Sequence, residues 1–320
     1  MNGCETLFGK RGDAVAADND MQHITVCICT FKRPQLLERL LHELVAQRTN
    51  GTFSYSIVVV DNDSGRSAET TVRSFQQSSG LDVQYCIEAR QNIALARNRA
   101  VEYAKGDFIA FLDDDEFPLN DWLLTLHAAC VRYRADGALG PVKPHFEEQS
   151  PDWIRRGRLC ERTSFSTGTI MRATDSRTGN VLMKREIFDD PQNRFDPQYG
   201  RTGGEDVWFF VNVMRKGRVF VWCDEAVAFE TVPPERWKAS YYIKRFIRIG
   251  GLTGEEQRTK GLPGRGLARV IAVFCAYAVL LPFTVFIGKH MFMRYLVKCA
   301  YNMAWLSGYF GLVLIRNRDD

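Results

Sequence analysis

Apolar positions along the chain follow two alternating rhythms. The β-branched run ITVCICT (24–30) predicts a short strand. Pro34 then stands where a first helical turn begins, and Leu36, Leu37, Leu40, Leu41, Leu44 and Val45 share one face of the segment that follows. SIVVVD (56–61) is apolar enough for a strand buried on both faces. A polar helix over 68–77, a strand over 83–86, a helix over 92–104 closed by Gly106, and the strand FIAFL (108–112) continue the alternation. Asn120 is placed to cap the helix WLLTLHAACVRY. This order predicts an α/β fold with a mainly parallel sheet and helices on both faces. Residues 140–200 are less regular. A strand over 180–184, a helix after Asp206 ending at Gly217, and the strand RVFVWC follow.

The last segment differs in kind. Residues 270–288 are 19 positions without a charge and 299–315 are 17 more, close to the ~20 that cross a bilayer. Basic residues flank both stretches (Arg265, Arg269, Arg316, Arg318), but Lys289, Arg294 and Lys298 also lie between them. A two-span hairpin therefore conflicts with the positive-inside tendency, and re-entrant or interfacial helices dock more naturally. A hydrophobic helical pair packed on the main domain or a second subunit is the alternative. The domain reading is a disordered polar tail (1–22), an α/β domain (23–255) and a membrane-associating helical segment (256–320).

Composition narrows the function. With 42 Lys+Arg against 38 Asp+Glu among 320 residues, the net charge of +4 is too mild to argue for nucleic acid. The nine cysteines are scattered, with neither a CxxC pair nor zinc spacing, which fits a reducing cytoplasm. Residues 1–20 lack the pattern of a secretory signal.

The candidate chemistry lies in carboxylates. LDDDE (112–116) directly follows a buried strand, so its side chains project from the carboxyl edge of the sheet, where open α/β sheets bind ligands. Adjacent carboxylates repel one another, and a divalent cation removes that cost; Asp113 and Asp115, spaced as DxD, suit Mg²⁺ or Mn²⁺. A solvated acidic turn is the plainer account. An EF-hand is excluded, because Pro118 and Leu124 would occupy its glycine and glutamate positions. Asp61, in VVVDND, shares the same edge and can accept from a base N–H or a ribose hydroxyl. Asp63 with Ser64 and Gly65 forms a turn. GxxxxGK[ST] is absent and GxGxxG follows no strand, so a metal must neutralise any diphosphate. In GGEDVWFF, Glu205 and Asp206 enter a helix whose positive end favours the ionised carboxylate, so one of them can accept a proton; the same pair also serves as ordinary helix-terminal charge. Arg97, Lys244, Arg245 and Arg248 match phosphate oxygens, or else lie on solvated or lipid-facing helix surfaces.

Taken in order, CTFKRP, VDND, NIALARNRA, FLDDDE, GNVLMKR and GEDVWFF followed by EAVAFETVPPER resemble glycosyltransferase family 2, over about 24–251. ETVPPER with a hydrophobic C-terminus is most similar to bacterial exopolysaccharide glycosyltransferases of the succinoglycan type. The resemblance implies a GT-A fold and metal-dependent, inverting transfer from a nucleotide sugar, UDP-glucose or similar. By position it implies Thr30 and Arg33 at the nucleotide pocket, Asp61 reading the pyrimidine, and Arg97 near the nucleotide. Asp113 would contact ribose or metal, Asp115 would hold the metal, and Arg245 and Arg248 would meet the diphosphate. Asp206 would be the base, with Glu205 as neighbour. Where many relatives carry a metal-ligating histidine this chain has Glu230, which either supplies an oxygen ligand or leaves the metal to the DxD alone. The partners implied are a nucleotide-sugar donor and a lipid-linked saccharide acceptor at the cytoplasmic face of a bacterial inner membrane, and no nucleic acid. A polyprenyl-phosphate acceptor and a non-catalytic nucleotide-sugar-binding scaffold are the alternatives.

Overall fold

The computed structural model describes residues 21–146, 149–260 and 264–315, with the side chains of 260, 264 and 265 left aside. Its first half runs β1 (Gln22–Thr30), α1 (Pro34–Val45), β2 (Phe53–Asp61), α2 (Glu69–Ser79), β3 (Val83–Ile87), α3 (Ile93–Tyr103), β4 (Phe108–Asp113), β5 (Glu116–Pro118) and α4 (Trp122–Tyr133). Then come β6 (Gly137–Leu139), β7 (Val142–His145), α5 (Asp152–Gly157), β8 (Val181–Lys184), α6 (Glu205–Arg215), β9 (Phe220–Trp222) and β10 (Ala228–Thr231). Three helices close the described chain: α7 (Ala239–Lys260), α8 (Gly264–Thr284) and α9 (Lys289–Tyr309).

Seven strands form one sheet in the order β3-β2-β1-β4-β8-β6-β9, parallel except where β8 runs against β4 and β6. Its core has two layers because the strands are apolar on both faces. Leu37, Leu40, Leu41 and Leu44 of α1 pack on one face with Trp122 and Leu126 of α4. Ala94, Ala96 and Ala100 of α3 pack on the other with Phe209, Phe210 and Val213 of α6.

Local details depart from expectation. The expected tail lies outside the described residues as far as position 20, and Gln22 already belongs to β1. Gly106 does not cap α3: Ala104 does, in an extended conformation, and Gly106 turns with φ +77° against His23. Asn120 does not cap α4; Asp121 holds that position without a side-chain bond, while the Asn120 carbonyl accepts from Arg48 N. A second, three-stranded sheet, β5-β10-β7, was not foreseen. Its strands have three or four residues, too short for alternation to register.

α7 and α9 meet at glycines. A Cβ on Gly254 would overlap the Trp305 carbonyl, and one on Gly308 the Gly251 carbonyl. Such close backbone approach packs the first part of the apolar stretch 299–315 within the chain: Cys299, Ala300, Ala304 and Trp305 are buried and the helix ends at Tyr309, while Phe310, Leu312 and Leu314 beyond it are exposed. α8 behaves differently. Gly266–Thr284 is the one described helix long and apolar enough to cross a membrane, and its apolar window is unburied within the chain. A third core cluster joins α5, α7 and α9 through Trp153, Ile154, Tyr242, Met293 and Val297. α7 runs unbroken across residue 255.

Candidate active site

The parallel strands end together. Thr30 pairs with Asp61 across β1 and β2, and Cys29 with Asp113 across β1 and β4, so both acidic clusters occupy one rim. Asp61 is buried, and its carboxylate accepts from Asp63 N at 3.0 Å, Ala68 N at 2.8 Å and the Tyr85 hydroxyl at 2.9 Å. It thereby fixes the loop that follows β2. Thr30 Oγ1 donates to Asp114 Oδ2 at 2.8 Å. Arg33 Nη1 reaches Asp114 at 3.1 Å and Asp115 at 3.3 Å. Burial pushes the Asp114 carboxyl up, and Arg33 and Thr30 oppose that shift. The middle aspartate, unassigned from sequence, is thus the anchor of the acidic turn, while the half-exposed Asp113 faces outward.

The small sheet supplies the other wall. Glu230 pairs with Glu116 across β10 and β5, which carries it to the acidic turn. Its carboxylate accepts from Arg162 Nη2 at 2.6 Å and from Arg236 Nη1, and although burial opposes them, these guanidinium groups hold it below its ordinary pKa. Arg236 Nη2 also lies 3.6 Å from Asp115, and Arg162 Nη1 3.9 Å from Glu116. Asp115 is pushed up to about 7 by burial, then by Asp113, Glu230 and Asp114. Buried Glu116 accepts from Asp113 N at 3.2 Å through one oxygen, and its other oxygen, the one Arg162 approaches, has no hydrogen-bond partner among the described residues. Among the described residues no three such side chains stand in ready-made metal geometry. The donor set nevertheless fits a hard divalent cation: clustered carboxylate oxygens, most of them desolvated, with Asp115 raised toward neutrality and one Glu116 oxygen lacking a hydrogen bond.

Arg97 joins the rim to α6. Its Nη1 donates to Glu205 Oε1 at 2.6 Å and its Nη2 to Asp113 Oδ1 at 3.3 Å. All but buried, it is raised above an ordinary arginine by Asp113 and Glu205 in spite of its desolvation. Glu205 is 3% exposed and its Oε2 has no hydrogen-bond partner among the described residues. Asp206, on the same first turn, is partly exposed and forms no ion pair among the described residues; its Oδ1 accepts from Val207 N at 2.8 Å. Gly203 and Gly204 precede it at φ +87° and +101°, conformations that admit little else, and space around Gly204 is open. From α7, Arg248 Nη1 donates to the Thr202 carbonyl at 3.3 Å, and Arg245 Nη1 to the Tyr241 hydroxyl at 3.4 Å.

Thr30, Arg33, Asp113, Asp115, Glu230, Arg97 and Glu205 are therefore linked through shared partners, and Asp206 lies within electrostatic range of Arg97. The linkers were not all legible. Arg162 stands in CERTS, which carries no motif, and Glu116 and Asp114 were indistinguishable from their neighbours in an acidic run.

An open, mainly parallel sheet with an acidic cluster after its fourth strand and a second acidic pair opening a later helix defines the GT-A class of glycosyltransferases. Residues 25–194 match the family model for Glycosyl transferase family 2. The chain is 31% identical over 302 residues to Succinoglycan biosynthesis protein ExoM of Rhizobium meliloti, covering 92% of this chain and 95% of that protein. S. aureus TarS 1–349 in complex with UDP-GlcNAc superposes with TM-score 0.53 and 14% identity, over 91% of this chain and 92% of that one. GalNAc-T7 with UDP, GalNAc and Mn²⁺ superposes with TM-score 0.54 and 15% identity, over 77% and 52%. The protein belongs to glycosyltransferase family 2.

Proposed function

We propose that the protein transfers a hexose, with inversion, from a nucleotide sugar (UDP-glucose or similar) to a lipid-linked saccharide in bacterial surface or exopolysaccharide biosynthesis. One observation carries the reading: Arg97 ties the acidic turn to the first turn of α6, so donor side and base side form a single cleft. The relative named for succinoglycan biosynthesis supports the pathway class, and the UDP-GlcNAc and UDP complexes support the donor class.

In this reading the nucleotide lies along the ends of β1 and β2. Asp61 shapes the base pocket by holding Asp63 and Ala68, while Thr30 and Arg33 orient the acidic turn beneath it. Arg97 and Asp113 border the ribose, and Arg245 and Arg248 approach the diphosphate from α7. Asp113 and Asp115, with Glu230 alongside, would hold Mg²⁺ or Mn²⁺, which supplies positive charge against the diphosphate. Asp206 takes a proton from an acceptor hydroxyl. The freed oxygen bonds to the anomeric carbon as the bond to the diphosphate oxygen breaks on the opposite face, and a nucleoside diphosphate leaves. Asp206 suits the role better than Glu205, which is buried and engaged by Arg97, while Asp206 is partly exposed to an incoming hydroxyl. Unburied α8 and the exposed Phe283, Phe286 and Ile287 support attachment to the cytoplasmic face of the inner membrane, where anchoring raises the effective concentration of a lipid-linked acceptor.

Asp206→Asn should lower kcat by a factor of about 1,000 or more while leaving the calorimetric affinity for UDP-glucose with Mn²⁺ within about twofold. Near-normal turnover in that variant overturns the assignment.

A further inference from the structure

A cavity of about 800 Å³ opens beside the acidic turn, walled by Arg162 and Gly179 at its inner end and by Arg155 and Arg158 of the α5 region at its outer end. Most of its cations are already paired. Arg162 serves Glu230, Arg155 lies 3.0 Å from Asp152, and Arg158 pairs with Glu161. Two cations are exceptions: Arg177 and the exposed Lys143 line the cavity yet make no side-chain hydrogen bond or ion pair with any described residue. Arg177 is exposed to solvent at the cavity wall; desolvation by the surrounding protein, then Arg162 and Arg245, push its pKa below that of an ordinary arginine, and Asp206 and Glu230 oppose them. The acidic wall residue Asp175 is engaged by Arg172 at 2.7 Å. The cavity therefore holds a solvent-facing arginine that no described carboxylate pairs directly, beside other cations, a setting that suits an incoming anion. Phe229 and Trp222 give the same cavity apolar surface on which a sugar ring can lie.

Its outer end leads toward apolar surface. Gly157 of α5 abuts the His290 carbonyl, and Lys289 Nζ stands 5.0 Å over the Trp153 ring, so α5 rests on the start of α9. Immediately before that start, Val285, Phe286 and Ile287 are exposed, Phe286 by 90%.

We propose that this cavity is the acceptor subsite and that Arg177 recognises the diphosphate of the lipid-linked saccharide. The sugar end points inward to Asp206, and the lipid leaves along α5 to the exposed apolar end of α8. The proposal rests on the lipid-linked acceptor reading above. A diphosphate could come from donor or acceptor, and the two are separated by filling the donor site first.

The test measures binding of farnesyl diphosphate and of farnesol to the full chain saturated with UDP and Mg²⁺. The diphosphate should bind about tenfold or more tightly than the alcohol. Arg177→Ala should lose about that factor, Arg177→Lys should retain part of it, and both should bind UDP as the parent does. Because Arg177 makes no hydrogen bond or ion pair with any described residue, both variants should also keep the parent Tm. Equal binding of diphosphate and alcohol, displacement of the diphosphate by UDP, or an equal loss of UDP affinity in Arg177→Ala overturns the proposal. These readouts need no turnover: if diphosphate binding behaves as stated but no sugar is transferred to any lipid-linked acceptor, the transfer reading fails alone.

Discussion

Arg97 bridges carboxylates that are 92 positions apart in sequence, Asp113 and Glu205, and does so nearly free of solvent. Removing such a group would leave a buried, uncompensated Glu205, a larger loss than the pair's net gain. Neighbouring charge acts oppositely at Asp115, where burial and surrounding carboxylates raise the pKa to about 7. A carboxyl raised in the folded state favours folding at low pH, and that contribution is lost as pH rises through the folded value. Metal-free protein should therefore lose stability as pH rises from about 4 to about 7, and a cation that requires the ionised form should restore it. The increase in Tm on adding Mn²⁺ should be larger at pH 8 than at pH 6, and a pH-independent increase would remove Asp115 from the cation site. At this scale the sequence was informative about residue type. DDDE and GGED announced acid chemistry, but which aspartate would be an anchor and which would face outward depended on burial, which no local pattern encodes.

The helical elements follow simple rules where one face is apolar. α1 begins at Pro34 and buries Leu37, Leu40, Leu41 and Leu44, as its spacing predicts. α9 shows where such rules stop. Its apolar second half reads as a bilayer segment, but glycines on α7 let it dock backbone to backbone. Gly254→Leu should force α7 and α9 apart, costing about 1–3 kcal/mol in denaturant unfolding. Because α7 also carries Arg245 and Arg248, the same variant should weaken donor binding. Unchanged stability would mean that the glycine contact does not hold the pair. The three-stranded sheet is the counterpart failure: β5 and β10 are strands because each finds the other, and neither has a pattern of its own.

For the whole molecule, the question is where the protein resides. Its α/β body is built from soluble-type layers, and α8 leaves an apolar surface that these layers do not cover. The full chain should float with phosphatidylglycerol-containing vesicles, and Phe283→Ser with Phe286→Ser should reduce the floated fraction severalfold while leaving hydrolysis of the soluble donor intact. Equal flotation of parent and variant would place the contact elsewhere.

The alternation of strands and helices from β1 to α4, β5 apart, and the mainly parallel character of the sheet were legible in the sequence alone, because they depend on periodicity and strand ends, which are local. Charge partners were settled only by the tertiary structure. Glu230 meets Glu116 through a register set by short strands, Arg162 arrives from a loop and Arg236 from a short 3-10 helix, and Arg177 is left without a direct hydrogen bond or ion pair among the described residues. Electrostatic energy depends on distance and desolvation, and both come into being when distant segments close around one rim.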